Sequence, residues 1–188
     1  MIRRIGFSLR GATELKVRLF LGGLLFLGGS APAQGQQAYQ GIRETLPVEV
    51  GPQPVPFSHK QHVTAGLACQ DCHTTVAKKE RAGLPDAEKC MLCHTTIKTE
   101  SPAVEKLARI HKARQKLEWV RVYRVPDFVF FSHANHVKAD VECQSCHGPV
   151  KQRDVLAKEI STSMITCMNC HVAKKASISC YLCHELGQ

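Results

Sequence analysis

The sequence predicts a mainly α-helical fold with little regular secondary structure, built around something other than an aliphatic core. Three observations carry this. Aromatic residues are only 6 % of the 188, and Leu, Ile and Val are spread thin, so the usual apolar filling of a chain this long is missing. Ten Cys and ten His stand in its place. The cysteines fall in five identically built motifs, four of which belong to an internal duplication.

The motifs are Cys69/Cys72, Cys90/Cys93, Cys143/Cys146, Cys167/Cys170 and Cys180/Cys183, each pair spaced C-x-x-C. The next residue is His every time: His73, His94, His147, His171 and His184. C-x-x-C-H is the attachment signature of c-type haem, and five such histidines by chance have a probability of roughly four in ten million. Two thiols bond one porphyrin, and the adjacent His is held beneath its iron as proximal ligand. Zinc sites, disulfides and thioredoxin-like redox pairs also use C-x-x-C, but none demands a following His five times over. The reading is five covalently bound haem c groups, whose edges would supply the missing core.

Five histidines remain for five distal positions: His59, His62, His111, His133 and His136. Four stand in a repeated phrase, Phe57-Ser58-His59-Lys60-Gln61-His62-Val63 and Phe131-Ser132-His133-Ala134-Asn135-His136-Val137. The first His of each phrase lies ten residues before the first Cys of the next motif. His111 is the fifth candidate. Ser101 and Pro102 read as an N-cap and first helical residue, and Val104, Leu107, Ala108 and His111 then share one helical face. Met164, three residues before Cys167, is the rival, since thioether is also a haem ligand.

The organisation follows in chain order. Residues 1–33 read as an export signal: a basic start, an apolar run from Leu19 to Gly29, and an Ala31-Pro32-Ala33 cleavage site, with the mature chain starting at Gln34. That run is too short to span a bilayer, which takes about 20 residues. The basic stretch is long for a signal, and translation is expected to start near Val17. Residues 34–54, rich in Gln, Gly and Pro, read as a flexible lead. Residues 55–98 form a first dihaem unit, 99–126 a helical linker, 127–173 a second dihaem unit, and 174–188 a fifth haem site. An offset of 74 maps His59, His62, Cys69, Cys72 and His73 onto His133, His136, Cys143, Cys146 and His147. Short helices are expected after the motifs and little sheet, with Trp119 to Val125 the most extended-looking stretch.

The net charge is +9, of which the signal carries five basic residues and one Glu, leaving +5. Haem propionates would balance that excess, and no fold signature supports nucleic-acid binding.

These residues resemble the class III multihaem cytochromes c and their trihaem relatives, in which Phe-x-His-x-x-His precedes a haem motif and every iron is bis-histidine. The resemblance implies that His59 faces the Cys69/Cys72 haem and His133 the Cys143/Cys146 haem, while His62 and His136 reach neighbouring haems. Further segments are similar to the pentahaem subunit of bacterial alternative complex III, a quinol oxidoreductase. They are Val55-Pro56-Phe57-Ser58-His59-Lys60, Ala82-Gly83-Leu84-Pro85, Lys89-Cys90-Met91, Glu118-Trp119-Val120-Arg121-Val122, Pro126 to Phe131, and Ser145-Cys146-His147-Gly148. The likeness spans about 55–171 and departs in having only eight residues between His171 and Cys180. It implies a periplasmic electron relay, not an enzyme in its own right. Its partners would be other redox proteins and a quinol-oxidising membrane complex. The alternative is a reductase of a small substrate at an open haem.

Overall fold

The computed structural model describes residues 44–185, which lie in one compact unit, Gln36–Gln188. The export signal and the first part of the lead fall outside the described residues. Eight short α-helices and one 3₁₀ turn carry the regular structure: α1 His59–Thr64, α2 Cys69–Cys72, α3 Ala87–His94, α4 Pro102–Lys112, α5 His133–Lys138, α6 Gln144–His147, α7 Met164–Ala173 and α8 Cys180–Cys183, with the 3₁₀ turn at Val150–Gln152. Five of these helices, α2, α3, α6, α7 and α8, lie on the cysteine motifs themselves, whereas the sequence placed short helices after them; α1 and α5 carry the histidine pairs, and α4 follows the second motif. One helical turn brings i and i+3 side by side, so it presents both thiols of C-x-x-C to one face.

N-cap side chains set four of the eight α-helix starts. The Ser58 hydroxyl accepts from Gln61 N at 3.0 Å, Ser132 from Asn135 N at 3.3 Å, and Ser163 from Thr166 N at 3.4 Å. The Asp86 carboxylate opens α3, accepting from Ala87 N at 2.8 Å. Pro102 is the first residue of α4, as expected; Ser101 occupies the cap position but makes no capping bond. Of the 99–126 linker, only Pro102–Lys112 is helical.

The aliphatic core is small. Val55, Ala87, Val104, Leu107 and Leu117 are the buried hydrophobic residues among those described, and none lies beyond Leu117. Val55, Ala87, Leu107 and Leu117 pack together against Cys90, Met91, Ile110 and Trp119, fastening α4 onto α3. Val104 and Leu107 hold the buried stripe of α4, which surfaces before its end, leaving His111 exposed.

Among the described residues the only β-bridge joins Val48 to Lys158. With Lys158 Nζ on Glu44 at 2.7 Å, it holds the described part of the lead, 44–54, against the second half of the chain. The stretch from Trp119 to Val125 forms no ladder, because side chains take its polar groups. The Gln53 amide spans both N and O of Val120 at 3.1 and 3.0 Å, and the Trp119 indole donates to Pro85 O at 2.7 Å. Among the described residues no helix is long and apolar enough to cross a membrane.

Candidate haem-attachment sites

The repeated phrase folds into the same device twice. Phe57 meets His59 edge-on at 4.8 Å and stacks on His62 at 4.4 Å. Phe131 meets His133 edge-on at 4.8 Å and stacks on His136 at 4.7 Å. One ring thus braces both imidazoles of its pair. The second His of each pair is also tied to its own helix start. His62 Nδ1 donates to Ser58 O at 2.7 Å and His136 Nδ1 to Ser132 O at 2.8 Å.

From these helices three imidazoles face imidazoles of C-x-x-C-H motifs. Ring centres are 6.1 Å apart for His62 and His94, 6.3 Å for His133 and His147, and 6.2 Å for His136 and His171. A metal–imidazole bond is about 2 Å and a ring nitrogen sits roughly 1.2 Å from its ring centre, so two imidazoles on opposite sides of one iron have centres roughly 6.4 Å apart. All three separations leave room for one ion. Among the described residues no three His, Cys, Asp or Glu side chains converge as a zinc cage requires.

Nitrogen bookkeeping points the same way. His73 Nδ1 donates to Gly83 O at 2.7 Å, His94 to Ile97 O at 2.9 Å, His133 to Glu80 O at 2.8 Å, His171 to Ser177 O at 2.6 Å and His184 to Glu185 O at 3.2 Å. A carbonyl oxygen can only accept, so each Nδ1 carries the proton and each neutral ring offers Nε2 as its lone pair. His59 Nδ1, by contrast, is buried without a hydrogen-bond partner. Burial, with His73, His62 and His147 nearby, pushes His59 down to about 4. Burial, with His133 and His73 nearby, does the same to His147. Both are neutral at pH 7, the form that binds a metal.

All ten cysteines are described and none is in a disulfide. Their cover differs from one to the next. Cys72, Cys90, Cys146 and Cys183 are half-buried, but Cys69, Cys93, Cys143, Cys167, Cys170 and Cys180 are exposed. Cys170 lies in α7, which buries no side chain of its own. Among protein atoms alone Cys170 is therefore a surface thiol and not a core residue. Its sulfur still lies close enough to that of Cys146 to raise it, which brings the third and fourth motifs together.

Removal of the sulfur from water raises the thiols of Cys72, Cys90, Cys143, Cys146 and Cys167. That is the reverse of a redox-active C-x-x-C, whose environment favours thiolate. Apolar side chains stand uncovered around the motifs: Leu92 inside the second is 69 % exposed, Tyr181 inside the fifth 69 %, and Met164 beside the fourth 60 %. Bare apolar surface at these positions marks a face built for an apolar group. The thiol pairs, the three imidazole pairs at iron-spanning separation and this surface fit porphyrin with its iron.

His59, His73, His111 and His184 stand outside these three pairs. His73 is among the imidazoles close enough to act on His59, but no ring contact joins the two. His111 is exposed near the end of α4, and neither it nor His184 faces another ring among the described residues. Met164 opens α7.

Two supporting residues escaped the sequence reading. The Tyr123 hydroxyl donates to His147 O at 3.2 Å and accepts from Glu159 N at 3.0 Å, while its ring meets that of His147 edge-on at 4.6 Å. Nothing in the pattern around Tyr123 signalled this. Gly83, whose carbonyl holds His73, has φ +76°, and a Cβ there would meet Thr75 Oγ1 at 2.9 Å. The Gly83→Ala protein is therefore expected to lose about 1–2 kcal/mol of stability. Thermal unfolding checks the loss, and in the haem-loaded protein one redox midpoint should move with the displaced carbonyl.

Comparison with known proteins agrees with the site. The class III cytochrome c family model matches residues 37–121, and the model of cytochrome c7 and related cytochromes c matches 129–185. The multihaem cytochrome c subunit of the menaquinone reductase of Nitratidesulfovibrio vulgaris is 29 % identical over 161 residues, which are 71 % of this chain and 77 % of that subunit. With its paired thiols, its facing imidazoles and both matches, the chain is a multihaem cytochrome c, similar to class III cytochromes c over residues 37–121 and to cytochrome c7 over 129–185.

Proposed function

We propose that the chain is a periplasmic pentahaem relay that passes electrons between a quinone-linked membrane complex and another redox protein. The observation that carries this is the set of three facing imidazole pairs, each leaving room for one ion and none for a substrate. Haem supplies a one-electron iron couple at each site. The chain's part would be to hold two imidazoles at each such site in both redox states, so that little would rearrange on electron transfer. Phe57 and Phe131 do this by bracing the rings, and the backbone carbonyls do it by fixing the tautomers. The Nitratidesulfovibrio relative belongs to a menaquinone reductase, which supports a quinone-linked partner.

In this reading the ten cysteines attach five haems in two dihaem units and a C-terminal fifth site. His73, His94, His147, His171 and His184 are proximal, and His59, His62, His133 and His136 distal. His111 takes the fifth distal position, with Met164 its rival. The His111→Ala protein is expected to turn one haem high-spin in electron paramagnetic resonance while Met164→Leu leaves the spectrum unchanged. The opposite result gives the position to Met164.

A second reading, reduction of a small substrate at an open iron, draws on the absence of a ring facing His184 among the described residues. Carbon monoxide separates the two, because it binds reduced iron only where a position is open. A relay is expected to show no carbonyl band after reduction. A band worth one haem per chain would favour the reductase.

A further inference from the structure

We infer that the five attachment sites do not follow one another in space as they do in sequence, but lie in the order second, first, third, fourth, fifth. The inference rests on reading the motifs as haem sites.

The key contact is a reciprocal one. Lys60 N donates to Arg153 O at 3.1 Å, and Ala134 N donates to Lys79 O at 3.1 Å. The 74-residue offset carries Lys60 onto Ala134 and Lys79 onto Arg153, so each bond is the image of the other. The thiols of Cys69 and Cys143, also images of each other, lie within hydrogen-bonding reach. Two copies of one motif that touch through equivalent atoms are related by a local two-fold axis, like the protomers of an isologous dimer.

Lys79 and Arg153 each follow a motif histidine, His73 and His147, by six residues. The axis therefore runs between the first and third sites. Further bonds cross the junction on both sides without being images of each other: His133 Nδ1 donates to Glu80 O at 2.8 Å, and Asp154, the image of Glu80, accepts from Ser58 Oγ at 2.6 Å.

The remaining sites hang outward from this junction. His59 and His62 share α1; His59 lies near enough to His73 to feel its charge, His62 faces His94, and the Cys72 sulfur lies near that of Cys90, so the second site adjoins the first. His133 and His136 share α5 and face His147 and His171, so the fourth adjoins the third. The nearness of the Cys146 and Cys170 sulfurs repeats that adjacency on the thiol side. Phe130 N donates to Cys183 O at 2.6 Å, and Phe131 stacks on His136 at 4.7 Å, which seats the fifth site beside the fourth. The fifth has no image in the first unit, so the line extends at one end only. Its two termini are the second and fifth sites. Removing either of these shortens the line, whereas removing the first or third cuts it.

Proton nuclear magnetic resonance on the fully reduced, diamagnetic holoprotein tests the order. Each haem is assigned to its motif through contacts to its own cysteine β-protons. Haem-to-haem contacts are expected between first and second, first and third, third and fourth, and fourth and fifth. Contacts between second and third, with none between first and third, would overturn the proposal. The same spectra report separately on the reading beneath it. Two ring-shifted imidazoles per haem mark bis-histidine iron. Their absence would refute the ligand pairing and still leave the haem-to-haem contacts to decide the order.

Discussion

Produced where haem cannot be attached, the chain is expected to remain unfolded. Its described aliphatic core holds five buried side chains, none larger than Leu, and none beyond residue 117. Such a core cannot offset the conformational entropy of ordering residues 44–185. The second half has less still: α5, α6, α7 and α8 bury no hydrophobic side chain of their own. Helices of four to eleven residues are not stable alone in water either. Circular dichroism of cytoplasmically produced protein should show a disordered chain with no cooperative thermal transition. A weaker form of the experiment removes one haem. The double variant Cys167→Ser, Cys170→Ser should lose protection from proteolysis first in 127–185, while the α3–α4 contact, which has Leu107 and Leu117, persists longer.

The His62→Ala protein is expected to keep its full haem complement and yet gain one high-spin, carbon monoxide-binding iron. His62 faces His94 at 6.1 Å and has no part in thiol attachment. Deleting its ring strips one distal ligand while leaving Cys90 and Cys93 untouched. The loss should raise one midpoint by on the order of 100 mV, because an imidazole donor that favours ferric iron is gone. Its image, His136→Ala, should act the same way on the fourth site. If neither variant changes the spin state, these imidazoles do not ligate iron.

What could be read before the fold was known divides along a physical line. Local chemistry was legible. C-x-x-C-H declares three bonds within five residues, and the family resemblance implied that His133 serves the haem of the next motif, whose His147 ring centre lies 6.3 Å from its own. The duplication was legible because equal spacings repeat in the chain. Long-range partners were not. His62 stands opposite His94 only because α1, α2 and α3 fold back on one another, and nothing in the spacing of 32 residues encodes that. The carbonyls that hold the ring nitrogens, at Gly83, Glu80 and Ser177, come from irregular turns whose residue types carry little pattern. Tyr123 escaped notice for the same reason. The exposure of Cys170 was not legible either, because a motif declares which bonds a thiol makes but not what packs around it. The position of the helices also differed, since a single turn needs no periodic stripe to announce it. The Trp119–Val125 stretch read as extended from its composition, yet the Gln53 amide, invisible to any strand pattern, takes the place of a neighbouring strand.

The central claim is that five C-x-x-C-H motifs each hold a haem. Intact-mass spectrometry of protein exported by a host that attaches haem c, with a pyridine haemochrome assay on the same sample, tests it most directly. The account predicts a chain heavier by five haems, with all ten thiols consumed. A chain of unmodified mass, carrying zinc or free thiols at those cysteines, would contradict it.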